Sequence, residues 1–201
     1  MLTTENKKKE ITLKRFLRKN LLYYIIPNVV FNTIIPYFSF TDLNAVHLFA
    51  GEQNLARFIL PMAFFLPFII TFDILKKTIT LSEKGHSEII LPDGFKKNKF
   101  IFQMAGINGF CTVSFVFALM LGLHFGLPEL YDYNGTVLAV LLGMTAGLFS
   151  VLFTYLPIKK LKKHHLPYSE EEEHTDQPKE DNQTDQYKQD DHADQPVLLK
   201  D

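Results

Sequence analysis

Few residues in this chain have side chains able to do chemistry, and most of those lie within apolar sequence. Asn28 and Asn32 are four positions apart, which puts both amides on one face of a helix. Asn108 and Gln103 belong to a separate uncharged run. An unpaired amide in hydrocarbon costs several kcal/mol, so these groups must face inward and bond to each other or to water. At a rise of about 1.5 Å per residue, Asn28 and Asn32 lie roughly 10 and 16 Å below the nearer membrane boundary and Asn108 about 12 Å, so the three can share a level. Such a layer is either hydrogen-bonded glue between helices or the floor of a polar cavity. Asp73 is the acid closest to an apolar run, with Lys76 and Lys77 three and four positions on. That spacing makes a surface ion pair on one helix face, with a proton or cation site as the alternative. No carboxylate sits near the middle of any apolar run, which disfavours a proton-coupled exporter of the small four-helix kind.

Catalytic constellations are absent from the sequence. It has no Gly-x-Ser-x-Gly elbow, no His-Glu-x-x-His pair, no phosphate-binding Gly-rich loop and no Cys-x-x-Cys. His164 and His165 are neighbours in a basic segment, and His47 and His124 are isolated. Cys111 is the single cysteine, so no intramolecular disulfide can form. The expectation is a protein that is not an enzyme, holds no cofactor or metal and has no nucleic-acid partner.

The elements that must position these side chains are four stretches free of Asp, Glu, Lys and Arg: 21–41, 58–72, 100–128 and 136–158. A hydrocarbon core about 30 Å thick requires roughly 20 residues in helical form, which predicts an all-α membrane protein with spans at 21–41, 55–75, 100–125 and 136–158. The second uncharged stretch is only 15 residues long. It crosses if Arg57 snorkels to one interface and Asp73 lies at the other, and a re-entrant loop is the alternative. Lys and Arg cluster in 1–20, in 76–99 and in 159–163, whereas the first and third connections hold only Arg57. This asymmetry predicts that both termini are cytoplasmic. The first span follows a basic segment but lacks a small-x-small cleavage site and contains Pro27 and Pro36, so it reads as a retained signal anchor.

Small residues recur at four-residue intervals, as Ala139, Gly143 and Gly147 in the fourth span and as Ser114, Ala118, Gly122 and Gly126 in the third. Rows of this kind let helix backbones approach closely. They predict packing of the third span against the fourth, or else a homodimer face. Pro27, Pro36, Pro61 and Pro67 permit kinks that could line a cavity. Between Lys76 and Lys99, Thr78–Leu81 and Glu88–Leu91 flank a turn candidate at Glu83-Lys84-Gly85, giving a small hairpin or an irregular loop. Beyond the basic junction 159–165, the segment 166–201 holds twelve acids against three lysines. It has too little apolar surface to offset its ordering entropy, and it is predicted to be a disordered acidic tail.

The Asn-containing first span, a second span ending in Lys76-Lys77, a loop with Lys84-Gly85 and Leu91-Pro92, and a Gly-rich last pair of spans resemble small four-span bacterial membrane proteins loosely called permease-like. The resemblance covers about residues 20–160. It implies a bacterial inner-membrane location and no particular activity. Two functions follow from the sequence: a non-enzymatic scaffold or accessory subunit whose partners are the lipid bilayer and a second copy or another membrane protein, and a small oligomeric permease using the Asn-containing spans as its path.

Overall fold

Apolar surroundings leave the backbone no partner but itself, so each uncharged run folds as a helix. The computed structural model describes residues 4–51, 54–87, 89, 91–92, 94–127 and 131–165. The acidic segment 166–201 and the acids Glu52, Glu88, Asp93 and Glu129 lie outside the described residues. Among the described residues four helices form: α1 (Thr4–Ser39), α2 (Leu55–Glu83), α3 (Lys97–Gly126) and α4 (Gly135–His165). Each is long and apolar enough to cross a membrane, the mark of a multi-pass membrane protein. Large apolar side chains such as Phe38 and Phe125 are 78% and 82% exposed, which suits lipid rather than water around the bundle.

The helices outrun the uncharged sequence at the basic end. α2 is one unbroken helix of 29 residues through Pro61 and Pro67, so the re-entrant alternative does not apply. The hairpin expected after Lys76 does not form either. Thr78–Leu81 is the end of α2, because Ile74, Leu75, Thr78 and Ile79 continue one buried helical stripe. The helix stops at Gly85, whose φ of +70° suits a residue without a β-carbon. There the Gly85 N–H donates to Ser82 O and the His86 N–H to Leu81 O, closing the end in a Schellman motif.

Packing order differs from chain order. α1 lies along α4, α4 along α2 and α2 along α3, while α1 and α2 touch only slightly and α3 makes little or no contact with α4. The helices thus follow the sequence α1–α4–α2–α3 across the bundle. At one end, which we call the bridged end, the α1–α2 and α3–α4 connections meet through reciprocal backbone bonds between Val46 and Tyr133, of 3.1 and 3.0 Å. Among the described residues, the opposite end carries the Lys and Arg other than Arg57. Two apolar clusters fill the interior. One, nearer the bridged end, includes Met62, Leu66, Ile70, Leu142 and Phe149. The other, at the basic end, joins Leu13 and Leu17 of α1 to Ile74, Ile79, Ile101, Ile158 and Leu161.

Candidate functional site

Asn28 and Asn108 are held in two separate seams. In the α1–α4 seam, Asn28 Nδ2 donates to Ser150 Oγ at 3.0 Å, and Ser150 Oγ donates onward to Ala146 O at 2.8 Å. Ser150 is fully buried. Asn32 Nδ2 turns back to the Asn28 carbonyl of its own helix at 2.8 Å. This approach is possible because α4 presents Ala139, Gly143 and Gly147 to α1, with Gly143 set against Thr33 and the Val29 carbonyl, and Gly147 against Val29. The row predicted on the fourth span therefore serves contact with the first span, not the third.

In the α2–α3 seam, Asn108 Nδ2 donates to the buried Thr71 Oγ1 at 3.0 Å. The close approach here belongs to Gly109, where an added β-carbon would stand 3.1 Å from the Phe64 carbonyl and 3.3 Å from its ring. Phe64 and Phe72 meet Phe110 and Phe102 edge-on along the same seam. Ser114, Ala118, Gly122 and Gly126 are exposed, and space is open around Gly122 and Gly126. Ala105 and Gly109, also four apart, are both buried and form the small row that faces α2. Asn28 and Asn108 are thus bonded to different helices and not to each other, and Gln103 is exposed on α3.

A quartet ties α1 to α2 at the basic end. Asp73 Oδ2 accepts from Lys77 Nζ at 2.6 Å and from Tyr24 Oη at 2.5 Å, and Lys77 Nζ also donates to Asn20 Oδ1 at 3.2 Å. The ammonium also stands 5.5 Å from the Tyr24 ring centroid. α1 and α2 have few close backbone contacts, and these four residues supply polar contact between them. Each group satisfies another, and no charge is left facing the apolar interior. Arg57 is exposed in the first turn of α2 at the opposite end, where the Asn54 side chain caps the helix by accepting from the Arg57 backbone N–H at 3.0 Å.

Beside the Val46–Tyr133 bridge lies a cleft lined from α2, α3 and α4, where α3 and α4 make little or no contact. Its larger part, about 560 Å³, is lined mainly by Leu55, Ile59, Leu123, Leu138, Leu141 and Leu142, with Asp132 and Asn134 at its lip. A smaller part of about 220 Å³ shares Leu48, Leu123, Tyr131 and Tyr133 with it and adds His47 and His124. His47 Nδ1 is 3.6 Å from Asp132 Oδ1, and the His124 ring packs edge-on against Phe49. Burial, and secondarily the neighbouring Tyr131, push the Tyr133 phenol above its ordinary pKa. Among the described residues no group of three or more His, Cys, Asp or Glu is placed to hold a metal.

The cleft was not expected from the sequence, because it depends on two connections meeting and on three helices lining one space. Ser150 and Thr71 were missed because a lone hydroxyl in an apolar run looks like any helix-packing Ser or Thr. Only their place opposite an amide marks them. Asn20 could have been found from its position one helical turn before Tyr24. No protein-family model, curated protein or solved structure matches this chain.

Proposed function

We propose that this chain is a non-enzymatic scaffold or accessory subunit of a bacterial inner membrane, with both ends of its helical domain cytoplasmic. The orientation is supported by the Lys and Arg residues of α1, of 76–99 and of 159–163 that gather at one end among the described residues, with Arg57 at the other. Cysteines placed at Asn44 or Asn134 in a Cys111→Ser background are expected to react with an impermeant thiol reagent in intact cells. One placed at the exposed His86 is expected to stay unlabelled, and the opposite pattern reverses the topology.

The observation that carries the scaffold reading is the allocation of polarity. Asn28, Asn32, Asn108 and Asp73 are engaged in local bonds, while the exposed row Ser114, Ala118 and Gly122 is where another membrane helix can approach α3 closely. Gly122→Leu fills space that is open within one chain. It should leave folding intact and lower the mass of the detergent-solubilised assembly. An unchanged mass would exclude this face as the site of assembly. The second reading, an oligomeric permease, draws on the cleft at the bridged end rather than on the amides. It requires that a cysteine at Leu141 or Thr145, which line that cleft, react with water-soluble thiol reagents, and protection there removes it.

A further inference from the structure

The basic end holds a cleft between α1 and α4 that the reading above does not use. It has a volume of about 420 Å³ and is lined by Lys14, Arg15, Leu17 and Arg18 of α1 and by Tyr155 of α4. Among the described residues, three cations and a phenol line it and no carboxylate does. Leu17 is buried beneath them, only 6% exposed, so the cationic side chains stand over an apolar base. A general excess of basic residues on one side of a membrane requires only their number. It does not require that three converge with an aromatic hydroxyl from another helix on one concavity.

We propose that this cleft binds the phosphate headgroup of an anionic lipid, with Arg15 and Arg18 as its principal contacts. Guanidinium groups meet phosphate oxygens through paired, charge-assisted hydrogen bonds, which a point-charge ammonium cannot reproduce. Basic pockets between membrane helices suit such headgroups. The choice of a lipid over a free phosphate comes from what lies above the cleft. Tyr155 heads a face of α4 that continues outward as Leu152, Val151 and Leu148, all exposed and apolar. An acyl chain attached to a phosphate in the cleft would lie along that face, whereas a soluble phosphate would leave it without a role. The lipid would cross the α1–α4 seam, fixing the first helix to the last.

The test uses the full chain in a non-ionic detergent, with phosphatidylglycerol, phosphatidylcholine and inorganic phosphate titrated separately and bound lipid counted by native mass spectrometry. Phosphatidylglycerol is expected to bind, phosphatidylcholine to bind far more weakly, and phosphate alone to leave lipid binding unaltered. Arg15→Gln with Arg18→Gln should weaken phosphatidylglycerol at least about tenfold, the low end of what one hydrogen bond to a charged group is worth. Lys84→Gln with Lys96→Gln removes the same charge from exposed positions elsewhere at the basic end and should change little. Equal losses in the two pairs mean diffuse attraction and overturn the site. Equal binding of phosphatidylcholine overturns the headgroup, and displacement by millimolar phosphate overturns the lipid as ligand. If the Gln pair does not fold, Arg15→Lys with Arg18→Lys decides, because it keeps the charge and should still weaken binding through loss of the paired geometry. Full affinity in that variant would count against the proposal.

Discussion

Gly143→Ala should destabilise the bundle, although the same change at Gly122 should not. Both glycines lie inside helices, where Ala is favoured over Gly by about 1 kcal/mol, so that gain is common to the pair and cancels in the comparison. What differs is the surroundings. A β-carbon at Gly143 would fall on Thr33 Oγ1 and 3.0 Å from the Val29 carbonyl oxygen, whereas at Gly122 nothing lies within 4 Å. Thr33 could turn aside, but its hydroxyl would then lose the 2.8 Å bond it donates to Val29 O. The carbonyl belongs to the main chain and moves only if α1 moves. Overpacking of this kind costs about 1–3 kcal/mol, so Gly143→Ala is expected to be less stable than Gly122→Ala by that amount. Gly109→Ala should fall between them, since its β-carbon would stand 3.1 Å from the Phe64 carbonyl. Reversible unfolding in mixed micelles, titrated with dodecyl sulfate, measures all three on one scale. If Gly143→Ala and Gly122→Ala unfold at the same midpoint, the seat of α1 on α4 is wrongly placed.

Double-mutant cycles should separate the two amide seams. Asn28→Leu with Ser150→Ala, and Asn108→Leu with Thr71→Val, should each show coupling of about 0.6 kcal/mol, whereas Asn28→Leu with Asn108→Leu should add within about 0.3–0.5 kcal/mol. A larger coupling between the two asparagines than across either seam would restore the shared layer. At the bridged end, Tyr133 Oη is buried with no hydrogen-bond partner among the described residues, so Tyr133→Phe should be neutral or slightly stabilising at pH 7. Because the folded phenol is held above the value of about 10 usual for tyrosine, the unfolded chain ionises first as pH rises past 10 and stability falls. The Phe variant should lack that part of the alkaline loss, and an identical alkaline profile would contradict the assignment.

The four helices were legible because an uncharged run of membrane length leaves the backbone no other solution, and because the lysines mark where each run ends. Their partners were not legible, for a reason visible in α3. That helix carries two rows of small residues, Ala105 with Gly109 and Ser114 with Ala118 and Gly122, and stepping from Gly109 to Ser114 turns about 140° around the axis at 3.6 residues per turn. Both rows can accept a close neighbour, and apolar residues surround both, so hydropathy cannot choose between them. The choice is made by what stands opposite: Phe64 lies over Gly109, and the neighbouring Asn108 reaches Thr71 of the same helix. The same holds for the amides. Counting residues from a boundary set Asn28, Asn32 and Asn108 at similar depth, but depth fixes only one coordinate, and the packing order α1–α4–α2–α3 separates α1 from α3 by two helices. Amides at one level on the two outermost members of such a row cannot meet, and each takes the nearest hydroxyl instead. The basic residues show the converse. Their number at one end was evident from the sequence, but only the antiparallel run of α1 along α4 brings Tyr155 to Arg15 and Arg18, turning a charge excess into a cleft with a shape a ligand can fit.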